Sequence, residues 1–246
     1  VLIRQESESG HFYAKDGSTA YRIIGANGKE RNTTLRDAKK HGLVPSVTTI
    51  LSQIAKPGLD TWKQTQVLLA ALTLPRGDNE TEQDWLQRVM ADSKATGRDA
   101  ANRGTQIHGV LESYFEGTYI PEWPLYVHNV HDVLVDTFGT CAWDSEKSFA
   151  HDLGYGGKLD LSADNVVVDF KTKETPLESV VPYHEHILQL SAYRMGLNMP
   201  QARCAIAFVN GITNEVKLCE ISEEELQKGW ECFKHLLSYY QLKNNL

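Results

Sequence analysis

Gly156-Gly-Lys-Leu-Asp-Leu-Ser-Ala-Asp-Asn-Val-Val-Val-Asp-Phe-Lys171 decides how this chain of 246 residues is read. Two short apolar runs flank Asp164-Asn165, so the stretch predicts two antiparallel strands joined by a tight turn. In the second strand Val166, Val168 and Phe170 alternate with Val167, Asp169 and Lys171, which puts Asp169 and Lys171 on one face. A two-residue turn then sets Asp160 directly opposite Asp169. Opposed side chains on one face have Cβ atoms about 5 Å apart, and like charges there are destabilising. Two carboxylates so placed are explained by a cation held between them, with Lys171 as a positive donor at the rim. Two acids, one hard cation and one lysine are the parts of a phosphodiester-cleaving site. The alternative is a surface hairpin with ordinary charges. Val166-Val-Val168 argues against it, because a continuous apolar run predicts a strand buried on both faces.

Working outward, Cys141 to Phe149, Tyr155 to Leu161 and Val166 to Lys171 read as three strands. Tyr183 to Gly196 reads as a helix, and Arg203 to Asn210 and Glu215 to Ile221 as two more strands. Ser222-Glu-Glu-Glu225 is a capping box that opens a final helix through about Leu242. Upstream, Asp16-Gly17 and Asn27-Gly28 are turn signals that predict a small hairpin or meander. Thr34 caps a helix through Lys40, ended by His41-Gly42. Ser46 caps another that stops before Lys56-Pro57-Gly58. Leu59 to Leu74, Thr81 to Met90, Thr96 to Gly117 and Val127 to Phe138 read as further helices. This order predicts an α/β fold, with a central mixed β-sheet flanked by helices and a helical N-terminal region packed over the active site. The expected division is an N-terminal hairpin and helical region over residues 1–95 and a core over 96–246.

The apolar and charged fractions, 41% and 23%, are ordinary for a globular domain. No apolar run approaches the roughly 20 residues that span a bilayer. Val1 to Gly10 lack a signal-peptide pattern, so the expected location is the cytoplasm, with no membrane partner. None of the four cysteines falls in a C-x-x-C pair, so buried thiols are expected rather than structural zinc. The formal net charge of −7 argues against tight nonspecific coating of duplex DNA. It does not exclude a local basic patch, because clustered acids inflate the total.

Other residues extend the candidate site. On a helix Thr105, His108 and Glu112 share a face, and an imidazole suits Mn²⁺ better than Mg²⁺. A surface His108–Glu112 pair is the other reading. Gln189 and Tyr193 also share a helical face. Gln189 could orient Lys171 or an attacking water, and Tyr193 could donate to a phosphate oxygen. Glu146 could pair with Lys171, extend the metal shell, or be an exposed strand charge.

Gly104-Thr105-Gln-Ile-His108, Gly157-Lys-Leu-Asp160, Asp169-Phe-Lys171 and Gln189-Leu-Ser-Ala-Tyr193 occur in an order and spacing that resemble the PD-(D/E)xK nuclease superfamily. The resemblance is to its RecB-type branch, which includes the mitochondrial genome maintenance exonuclease and phage exonucleases. Pro45-Ser-Val-Thr48 and Leu59-Asp-Thr-Trp62 resemble the N-terminal region of those enzymes, which implies that residues 1–95 form a cap or a passage for a DNA strand end. The resemblance implies a restriction-endonuclease-like core. It implies one or two Mg²⁺ or Mn²⁺ ions held by Asp160, Asp169, the Phe170 carbonyl and His108, with Glu112 as a further candidate. It gives Lys171, Gln189 and Tyr193 catalytic roles, and implies cleavage that leaves 5′-phosphates. Candidate DNA contacts are Lys56, Lys63, Arg98, Arg103, Thr105 and Ser46. Trp62 is either a base-stacking platform or a core residue. Leu159 stands where the superfamily's proline would be, and the second acid is Asp169 rather than Glu. Cys204, Cys219 and Cys232 are too widely spaced for the iron–sulfur cluster of some relatives, so none is expected. The implied setting is recombination, repair or replication of DNA in a bacterium or phage-infected cell, with a recombination or single-strand-binding protein as a further partner. A structure-selective endonuclease on the same core and a nonenzymatic DNA-end-binding protein are the competing readings. A zinc hydrolase is disfavoured by the lack of an H-E-x-x-H motif. The oligomeric state is left open.

Overall fold

The computed structural model describes residues 10–246; the opening stretch read for a leader lies, but for Gly10, outside them. The elements in chain order are β1 (Phe12–Tyr13), β2 (Arg22–Ile24), β3 (Glu30–Asn32), α1 (Leu35–His41), β4 (Val44–Pro45), α2 (Val47–Leu51), α3 (Pro57–Thr73), α4 (Glu82–Ser93), α5 (Ala95–Phe115) and α6 (Leu125–Phe138). Then follow β5 (Asp144–Ser145), β6 (Ser148–His151), β7 (Tyr155–Lys158), β8 (Leu161–Ala163), β9 (Val166–Thr172), α7 (His184–Gly196), β10 (Arg203–Val209), β11 (Val216–Ile221) and α8 (Glu223–Asn244).

The main sheet has five strands in the order β11-β10-β9-β8-β5. Only β9 and β10 run parallel, and α7 is the crossover between them. β8 and β9 pair with Leu161 opposite Val168 and Ala163 opposite Val166, the register that a two-residue Asp164-Asn165 turn demands. Asn165 takes a positive φ of 58°, which asparagine tolerates better than most residues. Residues 166–170 are buried without alternation because both faces of β9 are covered. Gln189 of α7 bonds Asp169 on one face. On the other, the Phe170 ring stacks on Phe115 at the end of α5, and Arg203 of β10 lies over Phe138 of α6. α8 covers α7 from outside, as the Ser191 hydroxyl donating to the Leu226 carbonyl at 2.9 Å shows.

Local chemistry explains most helix starts. Thr34 and Ser222 form capping boxes, and Ser46 and Thr81 accept from the backbone three residues on. Gly42, at φ 63°, ends α1 in the left-handed conformation. Three expectations shift, the first being that the strand expected over Cys141 to Phe149 is two, β5 and β6, interrupted at Glu146-Lys147. α2 stops at Leu51 instead of reaching Lys56. The strand expected over Tyr155 to Leu161 breaks at Leu159-Asp160. β7 pairs with β6 in a ladder of its own, while β8 joins the main sheet.

The chain forms two compact units, Val1–Gln53 with Val110–Leu246, and Ile54–Gly109. This is not a division at residue 95. β1 and β4 pair with each other, and Ser46 bridges Gly156 of β7, so the N-terminal strands belong with the sheet. The Ile54–Gly109 unit is helical: α3, α4 and most of α5. Trp85 ties α4 to the end of α3 by donating to the Leu74 carbonyl at 2.6 Å. Between them Glu80 accepts two bonds from Arg88, at 2.9 and 2.8 Å, and one from the Gly77 N–H at 3.1 Å. The Arg88 bonds, and then the Gly77 N–H, lower the Glu80 pKa from 4.5 to about 2. Because the folded value is depressed, the clamp is complete above the ordinary carboxylate range and is lost as pH falls through about 2. A carbonyl-carbon NMR titration of Glu80 should therefore show a midpoint near 2. A midpoint at the ordinary value would mean that the clamp does not form in solution. No helix among the described residues is long and apolar enough to cross a membrane.

Candidate active site

The site is built where β8 peels away from β9. Asp160 occupies the break before β8. Its carbonyl accepts from the Glu146 N–H at 3.1 Å and from the Ser145 hydroxyl at 3.3 Å, which pins its backbone to β5. Its Oδ2 accepts from the Phe170 N–H at 2.7 Å. The side chain thus takes the place that a strand carbonyl would fill had β8 continued, and it brings the Asp160 carboxylate onto β9. N–H and C=O of one strand residue point to the same side, so the Phe170 carbonyl faces this edge as well.

Asp169 is 3% exposed. Its Oδ1 accepts from Gln189 Nε2 at 2.9 Å, and its Oδ2 lies 2.6 Å from Lys171 Nζ. Gln189 uses its whole amide. Nε2 also donates to the Tyr193 hydroxyl at 2.9 Å, while Oε1 accepts from Lys171 Nζ at 3.2 Å. A flipped amide would set its oxygen against the carboxylate and its nitrogen against the ammonium, so these partners fix its orientation. Burial favours a neutral Lys171 amine. The carboxylates of Asp169, Asp160 and Glu185 outweigh it and hold the ammonium above the ordinary lysine range. Burial, reinforced by the charge of Asp169, pushes the Tyr193 phenol well above its usual value, so it stays a neutral hydroxyl.

Gly157 makes this packing possible. A Cβ there would lie 2.8 Å from the Phe149 ring and 2.9 Å from the Tyr193 ring. Both rings are packed, so Gly157→Ala should displace Tyr193 and with it Gln189. The expected cost is about 1–3 kcal/mol of stability, the usual range for overpacking. Chemical denaturation of the purified variant reads it, and unchanged stability would show that the rings yield freely.

The residues expected to meet do so in part. Asp160, Asp169, Lys171, the Phe170 backbone, Gln189 and Tyr193 come together. Tyr193, only 3% exposed, backs Gln189 instead of facing a substrate. Glu146 does not pair with Lys171. Its carboxylate pairs with Lys158, because the chain turns at Glu146 with φ 53° and redirects the side chain. Ser46 is buried as the N-cap of α2, accepting from the Thr49 N–H at 2.9 Å, which accounts for it without a DNA contact. Glu112 is half-buried on α5. Lys56, Trp62, Lys63, Arg98, Arg103, Thr105 and His108 belong to the Ile54–Gly109 unit. There Lys63, Arg98 and Arg103 are exposed, and the Thr105 hydroxyl donates to the Ala101 carbonyl at 3.1 Å. Trp62 is 40% exposed, and its ring lies 3.5 Å from where a Cβ on Gly97 would stand, so it is a packed residue with an open edge. Among the described residues no group of three or more His, Cys, Asp and Glu side chains is gathered into one metal-binding cluster.

Two contributions escaped the sequence. Glu185 lies one helical turn before Gln189, and its charge acts on Lys171. Its i,i+4 spacing to Gln189 was the available signal. Tyr13 and Tyr21, whose hydroxyls lie 2.6 Å apart, stand within electrostatic reach of Tyr193. They come from the far end of the chain, and nothing local announced them.

No protein-family model matches the chain, and no curated protein matches it. Among solved structures it is similar to a "Putative exonuclease" from Eubacterium rectale, at 13% identity and a TM-score of 0.41, over 58% of this chain and 68% of that one. It is also similar to an alkaline exonuclease from Laribacter hongkongensis, at 13% identity and a TM-score of 0.36, over 75% of this chain and 97% of that one.

Proposed function

We propose that this chain is a divalent-metal-dependent nuclease that hydrolyses phosphodiester bonds, acting as an exonuclease on DNA ends. The observation that carries the reading is the meeting of Asp160, Asp169 and Lys171 at one edge of the sheet, with Asp160 bonded to the Phe170 backbone and Lys171 to Asp169. The donor set is all oxygen: two carboxylates and the Phe170 carbonyl. That chemistry fits Mg²⁺ or Mn²⁺ better than a soft metal. A carboxylate offers about four lone-pair positions, so the bond from Phe170 does not exhaust Asp160. When bound, such an ion polarises the scissile phosphate and makes a bound water more acidic.

The chain's own residues supply the rest. Lys171 places a fixed positive charge where a phosphate oxygen gains negative charge, an interaction worth most in a partly dry site. Gln189 holds both Asp169 and Lys171, and Tyr193 holds Gln189, so the buried Asp169 carboxylate keeps its place as a substrate arrives. His108 and Glu112 enter this reading through the family resemblance alone, as do release of 5′-phosphate ends and a place in DNA recombination, repair or replication.

The test is an assay on linear DNAs labelled at either end, beside a closed circular single strand, with Mg²⁺ or Mn²⁺ and with chelator. Metal-dependent release from linear DNA, with the circle spared, is expected. Equal attack on the circle would favour the endonuclease reading. Failure to cut any DNA or RNA with either metal would overturn the proposal.

A further inference from the structure

Lys171 stands closer to Asp169 than a lysine reserved for substrate needs to. Its Nζ lies 2.6 Å from Oδ2 of a carboxylate whose side chain is 4% exposed, while the lysine side chain itself is 28% exposed. The two partners therefore differ in freedom. Asp169 is clamped from its other oxygen by Gln189. Lys171 has solvent beside it and a second acceptor, Gln189 Oε1, at 3.2 Å. Glu185 lies one turn before Gln189 on α7 and supplies negative charge on that side.

We propose that the Lys171 ammonium and a divalent cation compete for Asp169, and that Gln189 Oε1 and Glu185 form the berth that receives Lys171 when the cation binds. This deepens the nuclease reading and rests on it. The lysine acts as a built-in counter-ion that keeps the buried carboxylate charged and poised. On cation binding it moves toward the position where it meets a phosphate. Glu185 is then a positioning residue, which acts through Lys171 without touching the cation.

Mn²⁺ affinity, read by isothermal titration calorimetry without substrate, tests this on the full chain. Lys171→Met removes the competitor and should bind Mn²⁺ about tenfold tighter than the unmodified protein, although it is inactive. Glu185→Gln should weaken Mn²⁺ binding several-fold with Lys171 present, and have no effect in the Lys171→Met background. Equal or weaker binding by Lys171→Met would overturn the competition. A Glu185→Gln effect that persists without Lys171 would make Glu185 a ligand and overturn its positioning role. If no variant, nor the unmodified protein, binds Mn²⁺, the metal-site reading itself fails and the proposal with it. Because Lys171→Met leaves a buried acid without its partner, a second measurement uses the unmodified protein. The Lys171 ¹⁵Nζ resonance should shift on Mg²⁺ addition, and an unmoved resonance at saturating Mg²⁺ would equally overturn the proposal.

Discussion

Asp169→Asn is expected to lower nuclease activity by about 10³-fold while leaving the fold intact. The asparagine oxygen can still accept from Gln189, but its amide nitrogen would face the Lys171 ammonium, donor against donor, so the lysine loses its partner along with the charge. Removing a charge that organises a transition state typically costs about 10²–10³-fold. Lys171→Met should be as inactive, for a different reason and with a different side effect. It leaves Asp169, 3% exposed, as a buried carboxylate without its cation. Stranding a buried charge costs about 3–5 kcal/mol. The pair Asp169→Asn with Lys171→Met should therefore regain most of that stability and none of the activity. Thermal melting beside the end-labelled DNA assay distinguishes the outcomes. A double variant no more stable than Lys171→Met alone would mean that the pair is not coupled as its 2.6 Å separation implies.

Glu223→Ala is expected to destabilise the fold well away from the catalytic groups. Arg194, at the end of α7, is 1% exposed and makes a two-pronged pair with Glu223 at the start of α8, at 2.7 and 3.1 Å. Among the described residues its Nε has no hydrogen-bond partner, and Glu223 supplies the carboxylate that the guanidinium pairs with. Glu223 is 52% exposed and can return to water at little cost, whereas Arg194 cannot. Removing Glu223 should cost about 3 kcal/mol, because the charge left behind is the buried one. At roughly 2–4 °C per kcal/mol for a chain of this size, the melting temperature should fall by about 6–12 °C. Arg194→Met, which removes the buried charge and keeps much of the stem, should be milder. If the order of the two variants were reversed, the stem's packing would outweigh its charge.

These two cases mark what was legible in the sequence. The β8–β9 register could be read because a two-residue turn and an alternating strand leave one pairing. That pairing carries Asp160 to Asp169. The helix starts were legible because a cap is a conversation between residues three apart, as at Thr34, Ser46 and Ser222. The Lys171–Gln189 contact was within reach because strand and helix adjoin in the chain. The break at Leu159-Asp160 was not legible. It arises from competition between two ladders, with β6 taking β7 and β9 taking β8. For Glu146 a pair with Lys171 was one of three readings, and its actual partner, Lys158, could not be read because the positive φ at Glu146 breaks the strand pattern there. Arg194–Glu223 and the approach of Tyr13 and Tyr21 to Tyr193 are set by packing between separate elements, which no local pattern encodes. The N-terminal strands were placed in a separate region for the same reason: β1 meets β7 only after the chain has folded back.

The carboxylates, the lysine, the glutamine and Tyr193 all fall between positions 160 and 193. A chain refolding from denaturant thus has only short loops to close before these groups meet, and the cost of closure grows with the separation of the ends. The strands that bring Tyr13 must travel most of the chain's length to join them, and contacts of long sequence separation form slowly. The reactive edge is expected to be assembled early, before the first strand docks behind it.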